Sequence, residues 1–233
     1  MNLLAIDSSC SVLCTAVLSD DKILTAETDG AMKQSEIIME CVDNLMNKAS
    51  LKPDDLNGVL CMKGPGSFTG LRIGYSIAKG LALSLSVPFA ALSTLDCVAQ
   101  GFLDISPLDY PHLALSIINA SKDSFFYAFY RIVYNDINEN IPSIKRITQD
   151  KDGKVSKIAE DILKYNEKIS ITGPGAFFIS KSLPSEIKDI CVINSENRGY
   201  AKELIAIAKN YKILDNNNTA NLFSGPEYNR LPG

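Results

Sequence analysis

A chain of 233 residues, 46% hydrophobic with a mean hydropathy of +0.05, can bury a substantial core, which excludes a disordered protein. Its net charge of −4, with no run of Lys and Arg longer than two, excludes a stand-alone nucleic-acid binder, because phosphate contacts need clustered cations. The stretch 80–95, the longest apolar one, is interrupted by Pro88 and several serines and is too short to cross a bilayer.

Residues 3–6 form a short apolar run of the buried-strand type, 11–18 follow as a second strand, and Asp20-Asp21 turns the chain into a third at 23–28. Asp7 and Ser8-Ser9 end the first apolar run too early for a secretory signal, so a cytoplasmic protein without membrane association is expected. Ile37, Ile38, Cys41, Val42, Leu45, Met46 and Ala49 recur at helical spacing and predict an amphipathic helix over 34–49. Pro53-Asp54-Asp55 breaks the chain before a strand at 58–62. The tight loop Gly64-Pro65-Gly66-Ser67-Phe68-Thr69-Gly70 then leads into a helix over 69–84, a strand at 89–92 and a short helix from Thr94.

The second half repeats this order. Strands are predicted at 113–119, 124–133 and 144–148, and a helix over 155–165 should bury Ile158, Ile162 and Leu163. A strand at 169–171 feeds Thr172-Gly173-Pro174-Gly175-Ala176-Phe177, and a strand at 191–193 and a helix over 201–213 complete the chain. Two Gly-Pro-Gly loops about 110 residues apart, each after a helix and a short apolar strand, indicate duplicated lobes. The boundary is set at 102/103, giving lobes 1–102 and 103–233, with the C-terminal helix and tail free to pack back on the first.

The six cysteines (Cys10, Cys14, Cys41, Cys61, Cys97, Cys191) contain no C-x-x-C and lie mostly in apolar segments, so reduced thiols are expected. The loop 64–70 could hold a phosphate at a helix N-terminus, but no Lys-Ser or Lys-Thr closes it as a Walker A loop would. Asp7, with Ser8 and Ser9, is a candidate magnesium or nucleotide site, against the commoner role of a turn cap; the equivalent second-lobe position is Asn119. His112 is the single histidine, which excludes chemistry needing two imidazoles at zinc or iron and counts against a peptidase. Gly70, Gly74, Ala78 and Gly80 form a small-residue row that invites close packing, inside the lobe or against another subunit.

The stretches Leu3-Leu4-Ala5-Ile6-Asp7-Ser8-Ser9 and Gly64-Pro65-Gly66-Ser67-Phe68-Thr69-Gly70-Leu71-Arg72-Ile73-Gly74 resemble the TsaB (YeaZ) family, as do 118–130 and Pro226-Glu227-Tyr228-Asn229-Arg230. The resemblance implies an α/β, duplicated actin/Hsp70-like (ASKHA) fold, two lobes each with a mixed sheet and flanking helices. It implies a scaffold role in making threonylcarbamoyladenosine beside the tRNA anticodon, with no catalytic residues, metal or cofactor of its own. The implied partners are a TsaD-like catalytic subunit and a TsaE-like ATPase, with a homodimer when alone and tRNA contacted indirectly. ATP or ADP would belong to the complex. The TsaD family's His-x-x-x-His metal pair falls by alignment on Thr94 and Val98. Gln34-Ser35-Glu36 stands where many members have His-Ser-Glu, and Ile118-Asn119-Ala120-Ser121 where many have Ile-Asp-Ala-Arg. On this basis the expected partner interface contains Gly70, Arg72, Ile73, Ser76, Ile77, Ile38 and Val42. The alternative is a stand-alone ATP-binding phosphotransferase of the same superfamily, working through Asp7 and the two loops.

Overall fold

The first strand, β1 (Leu3–Asp7), is buried along its whole length because it lies in the middle of a sheet with cover on both faces. Strand β2 (Val12–Ser19) runs antiparallel to it and β3 (Lys22–Asp29) antiparallel to β2, while β4 (Gly58–Gly64) and β5 (Phe89–Ser93) run parallel on the other side, in the order β3-β2-β1-β4-β5. The computed structural model describes residues 1–29, 34–105, 111–121, 123–134 and 142–214. Contacts group them into two units: Met1–Cys97 with the segment from Arg198 onward, and Val98–Asn197.

In the first unit, α1 (Gln34–Lys48) and α2 (Phe68–Leu85) cover one face of the sheet. Ile38, Val42, Leu45 and Met46 of α1 and Tyr75, Ala78 and Ala82 of α2 close over Leu4, Ile6, Leu13 and Val17. A 3-10 turn at Pro53–Asp55 leads from α1 to β4. Ser67 caps α2 by accepting the Gly70 N–H on its hydroxyl at 3.2 Å, and the helix ends at Ser86 in the left-handed region at φ 53°. The opposite face is covered by α7 (Ala201–Asn210), which packs on β1, β2 and β4. Two-sided cover explains why β2 is apolar without alternation, whereas the edge strand β3 alternates exposed and half-buried residues. The sequence reading places the boundary at 102/103, with the C-terminal helix and tail free to pack back on the first lobe. Contact instead divides the chain at Cys97/Val98, inside α3 (Thr94–Ile105), and groups α7 with the first unit.

The second unit repeats the pattern. Its sheet order is β11-β10-β6-β7-β8, from β6 (Leu113–Ser121), β7 (Ser124–Tyr134), β8 (Pro142–Arg146), β10 (Ile169–Thr172) and β11 (Cys191–Asn194). β7 and β8 are antiparallel, and β10 and β11 parallel, on the two sides of β6. This matches the first unit strand for strand. An added strand, β9 (Lys151–Gly153), pairs with Phe125–Tyr127 of β7.

Two expectations need correction here, and two short helices were not foreseen. The strand read at 144–148 lies at Pro142–Arg146; past it, Ile147 keeps a bond to the Phe129 carbonyl and Thr148 accepts the Phe129 N–H, so pairing trails off rather than stopping. In α4 (Val155–Leu163), Ile158 and Ile162 are buried but Leu163 is 58% exposed. The inner position goes to Asp161, drawn in by Tyr127, Lys151 and Lys164. Two short helices, α5 (Ala176–Ser182) and α6 (Ser185–Lys188), follow the second Gly-Pro-Gly loop.

Candidate functional site

Both residue groups singled out in the sequence lie in the first unit, around the carboxyl end of β1 and the start of α2. Asp7 is fully buried. Its Oδ1 accepts the Ser9 N–H at 2.9 Å and the Ser9 hydroxyl at 2.6 Å, and its Oδ2 accepts the Tyr200 N–H at 2.8 Å. Burial pushes its carboxyl above the ordinary carboxylate range, against the pull of these bonds, and Glu27 adds to the push. The carboxylate thus caps the turn at Ser9 and the first turn of α7, which has no side-chain cap of its own. Ser8 donates its hydroxyl to the Gly70 carbonyl at 2.8 Å, and the Ser67 N–H bonds to the Ser9 carbonyl at 2.7 Å. Asp7, Ser8 and Ser9 are therefore brought together, each engaged by the protein itself.

The second group is the α1–α2 face. Arg72 and Ser76 are exposed on α2, and Ile73 and Ile77 are half-buried beside them. The Arg72 guanidinium stacks over the Phe68 ring, 3.8 Å from its centroid. Gly80 faces open space, and Leu83 is exposed near the helix end. Gly70, Ile38 and Val42 are not on this surface: all three are buried in the unit itself. The small-residue row is likewise mostly internal. A Cβ on Gly74 would stand 2.1 Å from Ser8 Oγ, so the glycine lets α2 lie directly on the β1 end. Helical spacing revealed that one side of α2 is narrow, but not that a strand end fills the gap.

Other candidate positions fall as follows. Thr94 and Val98, one turn apart on α3, are both buried. Among the described residues no three His, Cys, Asp or Glu side chains converge on a point where a metal ion could sit. Asn119 is exposed on β6, and His112 is exposed just before it. Cys10 precedes β2, and none of the six cysteines is joined in a disulfide. Gln34 is the first residue of α1; the 226–230 motif lies outside the described residues. No helix among the described residues is long and apolar enough to cross a membrane.

Sequence reasoning missed the partners of Asp7. Glu27 on β3 accepts the Gly199 N–H at 3.2 Å, and Arg198 bonds Glu203 at 2.8 Å while lying over the Tyr200 ring. Arg198-Gly199-Tyr200 ahead of a predicted helix was the one available signal. It names a helix start but not what caps it.

Two sheets of the same strand order, each with a Gly-Pro-Gly loop after the strand beside its central one, define a duplicated actin-like α/β protein. The comparisons agree. The solved YeaZ from Pseudomonas aeruginosa superposes with a TM-score of 0.71 at 18% identity, over 91% of this chain and 92% of that one. The family model for TsaD, tRNA N6-adenosine threonylcarbamoyltransferase, matches residues 24–223. The chain belongs to this family.

Within it, the likeness to TsaB (YeaZ) read from the β1 and loop motifs is borne out. The tRNA threonylcarbamoyladenosine biosynthesis protein TsaB of Bacillus subtilis is 33% identical over 144 residues, 61% of this chain and 60% of that protein. A tRNA N6-adenosine threonylcarbamoyltransferase of Kosmotoga olearia is 34% identical over 134 residues, 50% of this chain and 41% of that protein. The sequence matches span about half the length of the first curated relatives, from 41% to 60%.

Proposed function

We propose that this chain is a TsaB-type subunit in threonylcarbamoyladenosine formation on tRNA, acting by binding a TsaD-like catalytic subunit rather than by transferring the group itself. A TsaE-like ATPase joins through that pair, tRNA is engaged through the partner, and two copies associate by the same face when the partner is absent. The observation that carries this reading is the outer side of α2, where Arg72 and Ser76 stand exposed beside half-buried Ile73 and Ile77 and open Gly80. That surface mixes apolar and polar groups as partner interfaces do. Gly70, Ile38 and Val42 drop out of the contact set and serve as the platform under it. Support for a non-catalytic role comes from Thr94 and Val98, because neither side chain can replace an imidazole at a metal.

The test is association. Gel filtration of this chain with a TsaD-like subunit should give a complex that Ser76→Arg, on the exposed side, abolishes without lowering thermal stability, and that Ile73→Glu, half-buried against the core, abolishes at some cost in stability. A stable specific contact would bury on the order of 1,600 Å². Wild-type elution volumes for both variants, alone and with the partner, would place the interface elsewhere.

A further inference from the structure

We propose that docking of α7 and the setting of the α2 N-terminus are coupled by a hydrogen-bond relay running Tyr200–Asp7–Ser9–Ser67. Tyr200 donates its N–H to Asp7 Oδ2 at 2.8 Å, and Ser9 donates its N–H and hydroxyl to Asp7 Oδ1 at 2.9 and 2.6 Å. Ser67 then donates its N–H to the Ser9 carbonyl at 2.7 Å. Ser67 opens α2: its hydroxyl accepts the Gly70 N–H, and its carbonyl accepts the Leu71 N–H at 2.8 Å. A parallel brace joins the Ser8 hydroxyl to the Gly70 carbonyl at 2.8 Å.

Burial makes this chain of bonds transmit displacement. Asp7, Ser8 and Ser9 are at most 3% exposed. Water cannot readily replace a lost partner there, and a group left unpaired carries its full desolvation cost. Sterics tighten the middle of the relay. A Cβ on Gly66 would lie 2.5 Å from the Ser9 carbonyl oxygen, so the loop rests on the Ser8-Ser9 turn and shifts with it. At the far end the start of α7 is held from outside its own helix, by Asp7 at Tyr200 and Glu27 at Gly199. A Cβ on Gly199 would lie 2.0 Å from the Cys14 Cβ. The start of α7 is thus seated by groups on three strands, and fraying it would release the Asp7 carboxylate.

The relay reaches α2 from a segment separated from the rest of its unit by Val98–Asn197. A change at Gly199 or Tyr200 would therefore reach the helix that carries Arg72 and Ser76. Its consequence for partner binding rests on the proposed function; the coupling itself does not.

Hydrogen exchange on the full chain, without any partner, tests the coupling. Gly199→Ala forces the α7 start off Cys14, and Glu27→Ala removes an exposed carboxylate without disturbing the core. Amides of Tyr200 to Leu204 should exchange at least about tenfold faster in Gly199→Ala, and those of Ser67, Gly70 and Leu71 should accelerate with them. Leu45 and Met46 on α1 and Leu115 and Phe129 in the second unit should keep their rates. Glu27→Ala should give the same pattern at smaller amplitude, and decides the matter if Gly199→Ala does not fold. The relay is overturned if the α7 amides accelerate while Ser67, Gly70 and Leu71 do not. It is equally overturned if the α1 amides accelerate as much, or if Glu27→Ala leaves every one of these rates unchanged.

Discussion

Gly74→Ala and Gly80→Ala put the same substitution on the same helix and should have opposite signs. By helix propensity alone each replacement stabilises by about 1 kcal/mol. At Gly80 nothing lies within 4 Å of the new methyl, so that gain should appear nearly whole. At Gly74 the methyl would stand 2.1 Å from Ser8 Oγ and 3.3 Å from Ser8 Cβ. Ser8 is buried and its hydroxyl is committed to the Gly70 carbonyl, so it cannot swing aside without giving up that bond. Overpacking costs roughly 1–3 kcal/mol and the forfeited buried bond about 1–3 kcal/mol. Against the propensity gain, the net loss is about 3 kcal/mol. Thermal unfolding should therefore fall by about 6–12 °C for Gly74→Ala and rise by about 2–4 °C for Gly80→Ala. Ser8→Ala/Gly74→Ala should recover part of the loss, because only the Ser8 Cβ contact remains. A Gly74→Ala protein as stable as wild type would refute the packing of α2 on the β1 end.

Three further outcomes follow from the same structure. Asp161 is 2% exposed; desolvation raises its pKa, but hydrogen bonds from Lys151, Lys164 and Tyr127 outweigh it and hold the carboxyl below its ordinary value. A depressed native value means stability that is present above the unfolded value near pH 4 and lost as pH falls toward the native one. Asp161→Asn should therefore cost about 1–2 kcal/mol at pH 7, discounted because Lys151 and Lys164 are 37% and 64% exposed. The gap from wild type should begin to narrow in acid unfolding curves only below about pH 4 and go on narrowing as pH falls further; a pH-independent gap would contradict this. Burial raises the thiols of Cys10 to about 12 and Cys191 to about 11, and pushes those of Cys61 and Cys97 well up too. An aromatic disulfide reagent at pH 8 should leave Cys61 and Cys97 unmodified until denaturant is added. The Arg131–Glu167 pair is bidentate at 2.8 and 2.9 Å but 36% exposed on both sides; Arg131→Ala should change stability by less than about 1 kcal/mol in a denaturant titration.

Where side chains carry a long period, the sequence was readable. Ile38, Val42, Leu45 and Met46 mark the inner side of α1, and uninterrupted apolar residues mark β1 and β4. The duplicated Gly-Pro-Gly loops disclosed the repeat that the matching strand orders display. Short elements were not legible. β9 has three residues, α5 seven and α6 four, too few for a period to emerge. Leu163 misled because an aspartate with three polar partners took the inner position that hydrophobicity assigns to leucine.

The site was legible by residue type more than by role. Asp7, Ser8 and Ser9 were found, but Tyr200, which donates to Asp7, lies almost the whole chain away, and no local pattern joins the two. Ile38, Val42 and Gly70 were marked by the same helical spacing as the surface residues. Spacing locates the apolar side of a helix without telling whether a sheet or another protein covers it.

Reconstitution bears most directly on the proposed role: TsaD- and TsaE-like proteins with tRNA and a threonylcarbamoyl donor, assayed for threonylcarbamoyladenosine with and without this chain. Modified tRNA should accumulate only when the chain is present, and should be lost again with Ile73→Glu. Equal modification in its absence would contradict the account.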